Sequence, residues 1–62
     1  MKVWVSDNSF PLTVIDVSVL DFITIWQHCM KTDSFMEVTI KIDKKKSEKL
    51  WINPHQVTTI GE

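Results

Sequence analysis

The segment Asp16–Thr32, DVSVLDFITIWQHCMKT, contains the one clear helical pattern in the chain, and it decides the fold. Its apolar residues recur at the i, i+3, i+4, i+7 spacing that places them on one face of an α-helix. The apolar face consists of Val19, Phe22, Ile23, Trp26 and Met30, and the polar face of Asp21, Thr24, Gln27, His28 and Lys31. We expect Asp16 to cap the N-terminus and Asp33-Ser34 to end the helix. Because β-branched residues are frequent in this segment, a strand through Val14–Val17 is the competing interpretation.

Short segments of alternating apolar and polar residues flank this helix on both sides, as expected of half-buried strands. The clearest of them places Met36, Val38, Ile40 and Ile42 on one side of the strand 35–43. Pro11 indicates an edge or an unpaired position in the second strand, because proline has no N–H for a ladder. Asn53-Pro54 predicts a turn in which asparagine is the cap. The predicted strands are 1–6, 10–15, 35–43, 49–52 and a last short one, 57–60, with a loop at 44–48.

These elements predict a single α+β domain over residues 1–62, with the order ββαββ. We expect one helix packed on a four-stranded, mainly antiparallel sheet that is covered on one face only. A two-layer sandwich with another strand order fits the pattern nearly as well.

The order of hairpin, helix and second strand pair resembles the β-grasp fold of ubiquitin-like proteins. Members that act as carriers end in a free Gly-Gly, whereas this chain ends in Ile60-Gly61-Glu62, so we do not expect a carrier function. The tail 50–60, LWINPHQVTTI, resembles the strand, Asn-Pro turn and strand of small bacterial and phage proteins, most of which have no assigned activity. That resemblance implies a bacterial or phage origin and a cytoplasmic location.

Composition narrows the possible functions. Sixty-two residues with a net charge of −1 exclude a strongly electrostatic role such as general DNA packaging. The lone Cys29 cannot form an intramolecular disulfide, which favours a reducing compartment. We find no targeting segment, and the uncharged run 22–30 is too short to span a bilayer. We therefore expect a cytoplasmic protein without membrane attachment.

The residues that commonly carry catalysis are few and scattered. His28, Cys29 and His55 are too few to predict a metal site, and Cys29 lies at the border of the apolar face, where a buried, inert thiol is expected. Gly61 is the only glycine, which excludes a glycine-rich phosphate loop. We expect neither enzymatic activity nor a cofactor.

Two binding hypotheses follow. By alternation Trp4 and Trp51 point away from the helix, and if their strands are neighbours the two indoles form one exposed patch with Thr13, Ile15 and Thr39. Such a patch is typical of a surface that binds another protein or a second copy of the chain, as in a homodimer. An exposed edge strand of the open sheet is an alternative docking surface for such a partner, because its N–H and C=O groups are unpaired. The alternative is single-stranded nucleic acid, bound by phosphate contacts from lysines and by stacking on Trp51. The lysines of this alternative site are Lys44, Lys45, Lys46 and Lys49, and the chain has no arginine.

Overall fold

The strands form two antiparallel sheets rather than the single four-stranded sheet expected from the sequence. The computed structural model describes all 62 residues and has an α+β architecture with one helix. Its elements are β1 (Lys2–Val5), β2 (Leu12–Thr13), α1 (Val19–Thr32), β3 (Met36–Lys41), β4 (Ser47–Ile52), a 3₁₀ turn (Pro54–Gln56) and β5 (Val57–Gly61). The strands therefore number five, because the last short segment pairs as a full strand.

The first sheet has the order β2-β1-β5 and the second consists of β3 and β4. A single antiparallel bridge between Val14 and Ile40 joins them, and beside it the N–H of Ile15 donates to the carbonyl of Thr39 at 3.0 Å. The strands thus follow one another laterally as β5-β1-β2-β3-β4. The element order is compatible with the β-grasp-like order expected from the sequence, and every pairing is antiparallel.

The helix begins two residues later than predicted. Ser18, not Asp16, is the N-cap, and its hydroxyl accepts a hydrogen bond from the N–H of Asp21 at 3.2 Å. Asp16 instead accepts from the N–H of Thr39 at 3.4 Å, so its carboxylate is directed toward β3. The predicted C-terminus is confirmed, because Asp33 is the C-cap in left-handed conformation, with φ 56°.

Seven buried apolar residues form the core between the helix and the sheets. The helix contributes Phe22 and Cys29, while Trp26 packs against the cluster from its margin. Met30, which the helical wheel placed on the buried face, is exposed, so Cys29 occupies the position expected for it. The other core residues are Val3, Val14, Met36, Val38 and Ile40.

The 3₁₀ turn is joined to the helix by side-chain hydrogen bonds. The predicted cap is confirmed, since the side chain of Asn53 accepts from the N–H of His55 at 3.0 Å. Pro54 is buried, and its carbonyl accepts from Nε1 of Trp26 at 2.8 Å. At the surface, Nε2 of His55 lies 3.1 Å from Oδ1 of Asp33, which links the turn to the end of α1.

Candidate binding surfaces on the β3–β4 hairpin

The two outward tryptophans lie on strands that are not neighbours. Trp4 is in β1, opposite Thr59, whereas Trp51 is in β4, opposite Glu37. Two strands, β2 and β3, separate them in the lateral order. Trp4 is half-buried, and its indole lies over Gly61, where a Cβ would be 3.3 Å from Cζ3. The condition for one shared patch of indoles is therefore not met, and Trp51 has to be considered by itself.

Trp51 is 64% exposed on the outward face of the two-stranded sheet. The pairing register places two further pairs on this face, Thr39 with Lys49 and Lys41 with Ser47. Ile15 lies beside Thr39 across the inter-sheet bridge and is 50% exposed. Of the residues predicted to surround the tryptophans, Ile15 and Thr39 thus lie beside the two-stranded sheet that carries Trp51, whereas Thr13 lies farther away, in the other sheet, opposite Lys2 of β1.

Strand β4 is also a free sheet edge. It pairs with β3 alone, and Ser47–Ile52 form no hydrogen bond outside that ladder. The N–H of Ile42 donates to the carbonyl of Lys46 at 2.9 Å. Because every second pair of an antiparallel ladder is hydrogen-bonded, this bond shows which residues of β4 are bonded to β3. Residues 48, 50 and 52 consequently direct their backbone groups toward β3. The N–H and C=O groups of Ser47, Lys49 and Trp51 point outward from the edge and have no protein partner.

The tip of the hairpin is a tight turn organised by Asp43. Its Oδ1 accepts from the N–H groups of Lys45 at 2.8 Å and Lys46 at 3.0 Å. The predicted loop 44–48 is therefore displaced by two residues toward the N-terminus without a change in length, since β3 ends at Lys41 and β4 already begins at Ser47. Between this tip and the inter-sheet bridge lies an open cleft of about 280 Å³. Its lining consists of Ile15, Lys41, Asp43, Lys44, Lys45, Lys46 and Ser47.

The sequence hypothesis of a basic tip did not include the lysine Lys41 or the apolar residue Ile15 of this cleft. Lys41 precedes the lysine run, and its side of the strand follows from the alternation that places Thr39 outward. A search of the sequence for that alternation would have identified it. Ile15 enters the cleft only because of the bridge between Val14 and Ile40, which no local pattern predicts.

The other reactive side chains do not meet. Cys29 is buried, and its thiol lies 3.8 Å from the carbonyl of Phe35. The side chain of His28 is on the exposed surface of the helix, and His55 is engaged with Asp33. We find no group of three or more histidine, cysteine, aspartate or glutamate residues arranged to hold a metal ion.

No family model, curated protein or solved structure matches this chain. The 14-residue α1 falls short of the length and apolar content that crossing a bilayer requires.

Proposed function

We propose that the chain is a small, non-enzymatic interaction module that acts in the bacterial or phage-infected cytoplasm and docks through β4. The observation that carries this proposal is the coincidence of a free backbone edge with an exposed tryptophan. Trp51 supplies the side chain, and the outward N–H and C=O groups of Ser47, Lys49 and Trp51 supply the hydrogen bonds. Unpaired edges of this kind bind another strand by extending the sheet.

The occupant we propose is β4 of a second copy, paired antiparallel about a two-fold axis perpendicular to the sheet. Such an axis keeps the outward faces of both copies on the same side of the sheet. Odd-numbered residues of one β4 therefore lie opposite odd-numbered residues of the other. A register centred on Lys49 places two ammonium groups directly opposite, which is destabilising. A register centred on Leu50 avoids this contact. It places Lys49 opposite Trp51 of the second copy on both sides of the axis.

The Leu50-centred register has three favourable consequences. Lys49 and Trp51 exchange backbone hydrogen bonds with their counterparts, four in all for the two pairs. The ammonium of Lys49 lies over the opposing indole, a cation–π contact of about 0.5–1 kcal/mol at an exposed site. Leu50, which is only partly buried in the single chain, meets its symmetry mate on the inner face. The dimer would therefore form a continuous four-stranded sheet, β3-β4-β4-β3.

Light scattering coupled to size exclusion tests this proposal, with an expected mass of twice the 7.3 kDa of the chain. Trp51→Ser should weaken the dimer by about 30-fold or more, the roughly 2 kcal/mol typical of a tryptophan at the centre of an interface. Phe10→Ser is the matched control, because Phe10 is 79% exposed but lies outside β4. Wild-type protein that stays monomeric at high concentration would refute self-association.

A second pair of variants tests the edge itself. Lys49→Pro removes one outward N–H that β3 does not use, and proline is tolerated at such an edge position. We expect this variant to be monomeric, with an unchanged circular dichroism spectrum. Lys49→Gln keeps the N–H and loses both symmetry-related cation–π contacts, about 1–2 kcal/mol together, so it should weaken the dimer about 5- to 30-fold without abolishing it. Equal dimerisation of Lys49→Pro and wild type would exclude strand pairing at β4.

A further inference from the structure

A basic cleft lies at the hairpin tip, next to the beginning of β4. Lys41, Lys44, Lys45 and Lys46 line this cleft, with Asp43 as the only carboxylate among its residues. Oδ1 of Asp43 accepts hydrogen bonds from two backbone N–H groups, so this carboxylate stabilises the turn. It forms no ion pair with a lysine. The turn thereby brings the four lysine residues around one opening of about 280 Å³.

The positive charge of the hairpin has no internal partner. The only ion pair in the protein joins His55 to Asp33, and no lysine has a carboxylate oxygen within 4.0 Å. Residues 36–52 contain five of the seven lysines and three of the eight acidic residues, which gives this segment a formal charge of +2. The remainder of the chain carries −3, so the net −1 conceals a segregation of charge. A partner with several negative charges would be attracted to the hairpin and repelled by the rest of the surface.

The chemistry of the cleft favours phosphate esters over carboxylates as that partner. Lysine binds phosphate as a mobile point charge, and four lysines around one opening can follow successive phosphates of a flexible backbone. The exposed side chain of Ile15 supplies an apolar surface within the basic cleft. An unpaired base can cover that surface with its flat face, whereas a duplex keeps its bases stacked and the acidic side chains of a peptide have no such flat face.

We propose that this cleft binds the phosphate backbone of a single-stranded nucleic acid, with one unpaired base resting against Ile15. The site differs from the lysine tip and Trp51 expected from the sequence, because it includes Lys41 and Ile15 and does not depend on Trp51. It is also separate from the proposed dimer interface, since its lysines lie outside the paired part of β4.

Fluorescence anisotropy with a labelled oligothymidylate of about 8 nucleotides tests the proposal, a length within the range of small single-strand sites. With about four phosphates contacted, affinity should fall roughly 50-fold between about 50 and 200 mM salt. Substituting Lys44, Lys45 and Lys46 together by glutamine should lower affinity at least about tenfold at low salt, and reduce the salt slope by about 2. Ile15→Ser should weaken binding several-fold without changing that slope.

Lys31→Gln is a control for a lysine outside the cleft, because it removes one positive charge from the helix, and its affinity should remain within about twofold of wild type. Circular dichroism of each variant checks that the exposed substitutions leave the fold unchanged. The proposal is overturned if the triple variant binds like wild type or if affinity does not respond to salt. It is equally overturned if an acidic peptide, a duplex or anionic vesicles compete as well as the single strand does.

Discussion

From the hydrogen bond between Trp26 and Pro54 we predict how much the contact between the 3₁₀ turn and the helix contributes to the free energy of unfolding. Trp26→Phe removes the indole N–H, which donates to the buried Pro54 carbonyl at 2.8 Å. That carbonyl also accepts from the N–H of Val57, so it does not become an unsatisfied buried acceptor. The loss is therefore that of one ordinary hydrogen bond, about 0.5–1.5 kcal/mol, rather than the larger penalty of an orphaned group.

The smaller ring of phenylalanine adds a packing cost. Part of the indole lies against the core cluster, and removing it costs about 1 kcal/mol by comparison with other large-to-small changes. The total for Trp26→Phe is thus about 2 kcal/mol. A domain of 62 residues has a free energy of unfolding of roughly 3–9 kcal/mol. The variant should therefore fold, with a midpoint of thermal unfolding about 8–16 °C below that of wild type.

Urea unfolding followed by far-ultraviolet circular dichroism measures this loss without relying on tryptophan emission. Leu20→Ala is a matched control on the same helix, because its side chain is 76% exposed and its loss should cost less than about 0.5 kcal/mol. Replacement of Trp26 by benzothienylalanine keeps the shape and removes only the N–H, and should cost about 1 kcal/mol. If Trp26→Phe is no more destabilising than Leu20→Ala, the turn does not anchor the helix.

Three further outcomes follow from local contacts. Ser18→Ala should lower the free energy of unfolding by about 1 kcal/mol in urea melts, because Ser18 is the N-cap of the helix. Asp16→Ala should lower it by less than half of that, and the reverse order would contradict the observed start of the helix. Asp43→Ala should accelerate amide hydrogen exchange at Lys45 and Lys46, because both N–H groups lose their carboxylate acceptor, and should destabilise the protein by about 1 kcal/mol. Unchanged exchange at these two amides would refute the role of Asp43 in the turn. His55→Ala should change stability by less than about 0.5 kcal/mol, because its exposed pair with Asp33 is screened by solvent, and a larger loss would show that this contact holds the turn.

The sequence predicted those parts of the fold that depend on local chemistry. Alternation identified β3 within two residues at either end, and it placed Met36, Val38 and Ile40 correctly in the core. Asn53 and Pro54 specified their turn because the cap and the fixed φ act within the same four residues. Asp33 ended the helix where expected for a related reason, since aspartate tolerates the left-handed conformation.

Parts of the fold that depend on distant contacts were beyond the reach of local patterns. Asp16 and Ser18 are both suitable caps, and the choice between them involves the contact of Asp16 with Thr39, 23 residues away. The same holds for the tryptophans. Alternation states on which side of its own strand an indole lies, but not which strands are neighbours. The structure places β2 and β3 between the strands of Trp4 and Trp51, and alternation could not predict this strand order.

Along a strand, side-chain direction and backbone hydrogen-bond direction alternate with the same period of two residues. The same residues of β4 therefore serve a partner that pairs with its edge and a partner that covers its outward face, and a test must separate the two. Ser47, Lys49 and Trp51 present their side chains outward and also direct their unpaired backbone groups to the free edge. Substituting Trp51 alone therefore weakens a partner on either surface. Lys49→Pro and Lys49→Gln both remove the charge, but only proline removes the N–H. A partner that covers the face would respond equally to both variants, whereas a partner that extends the sheet would be lost only with proline.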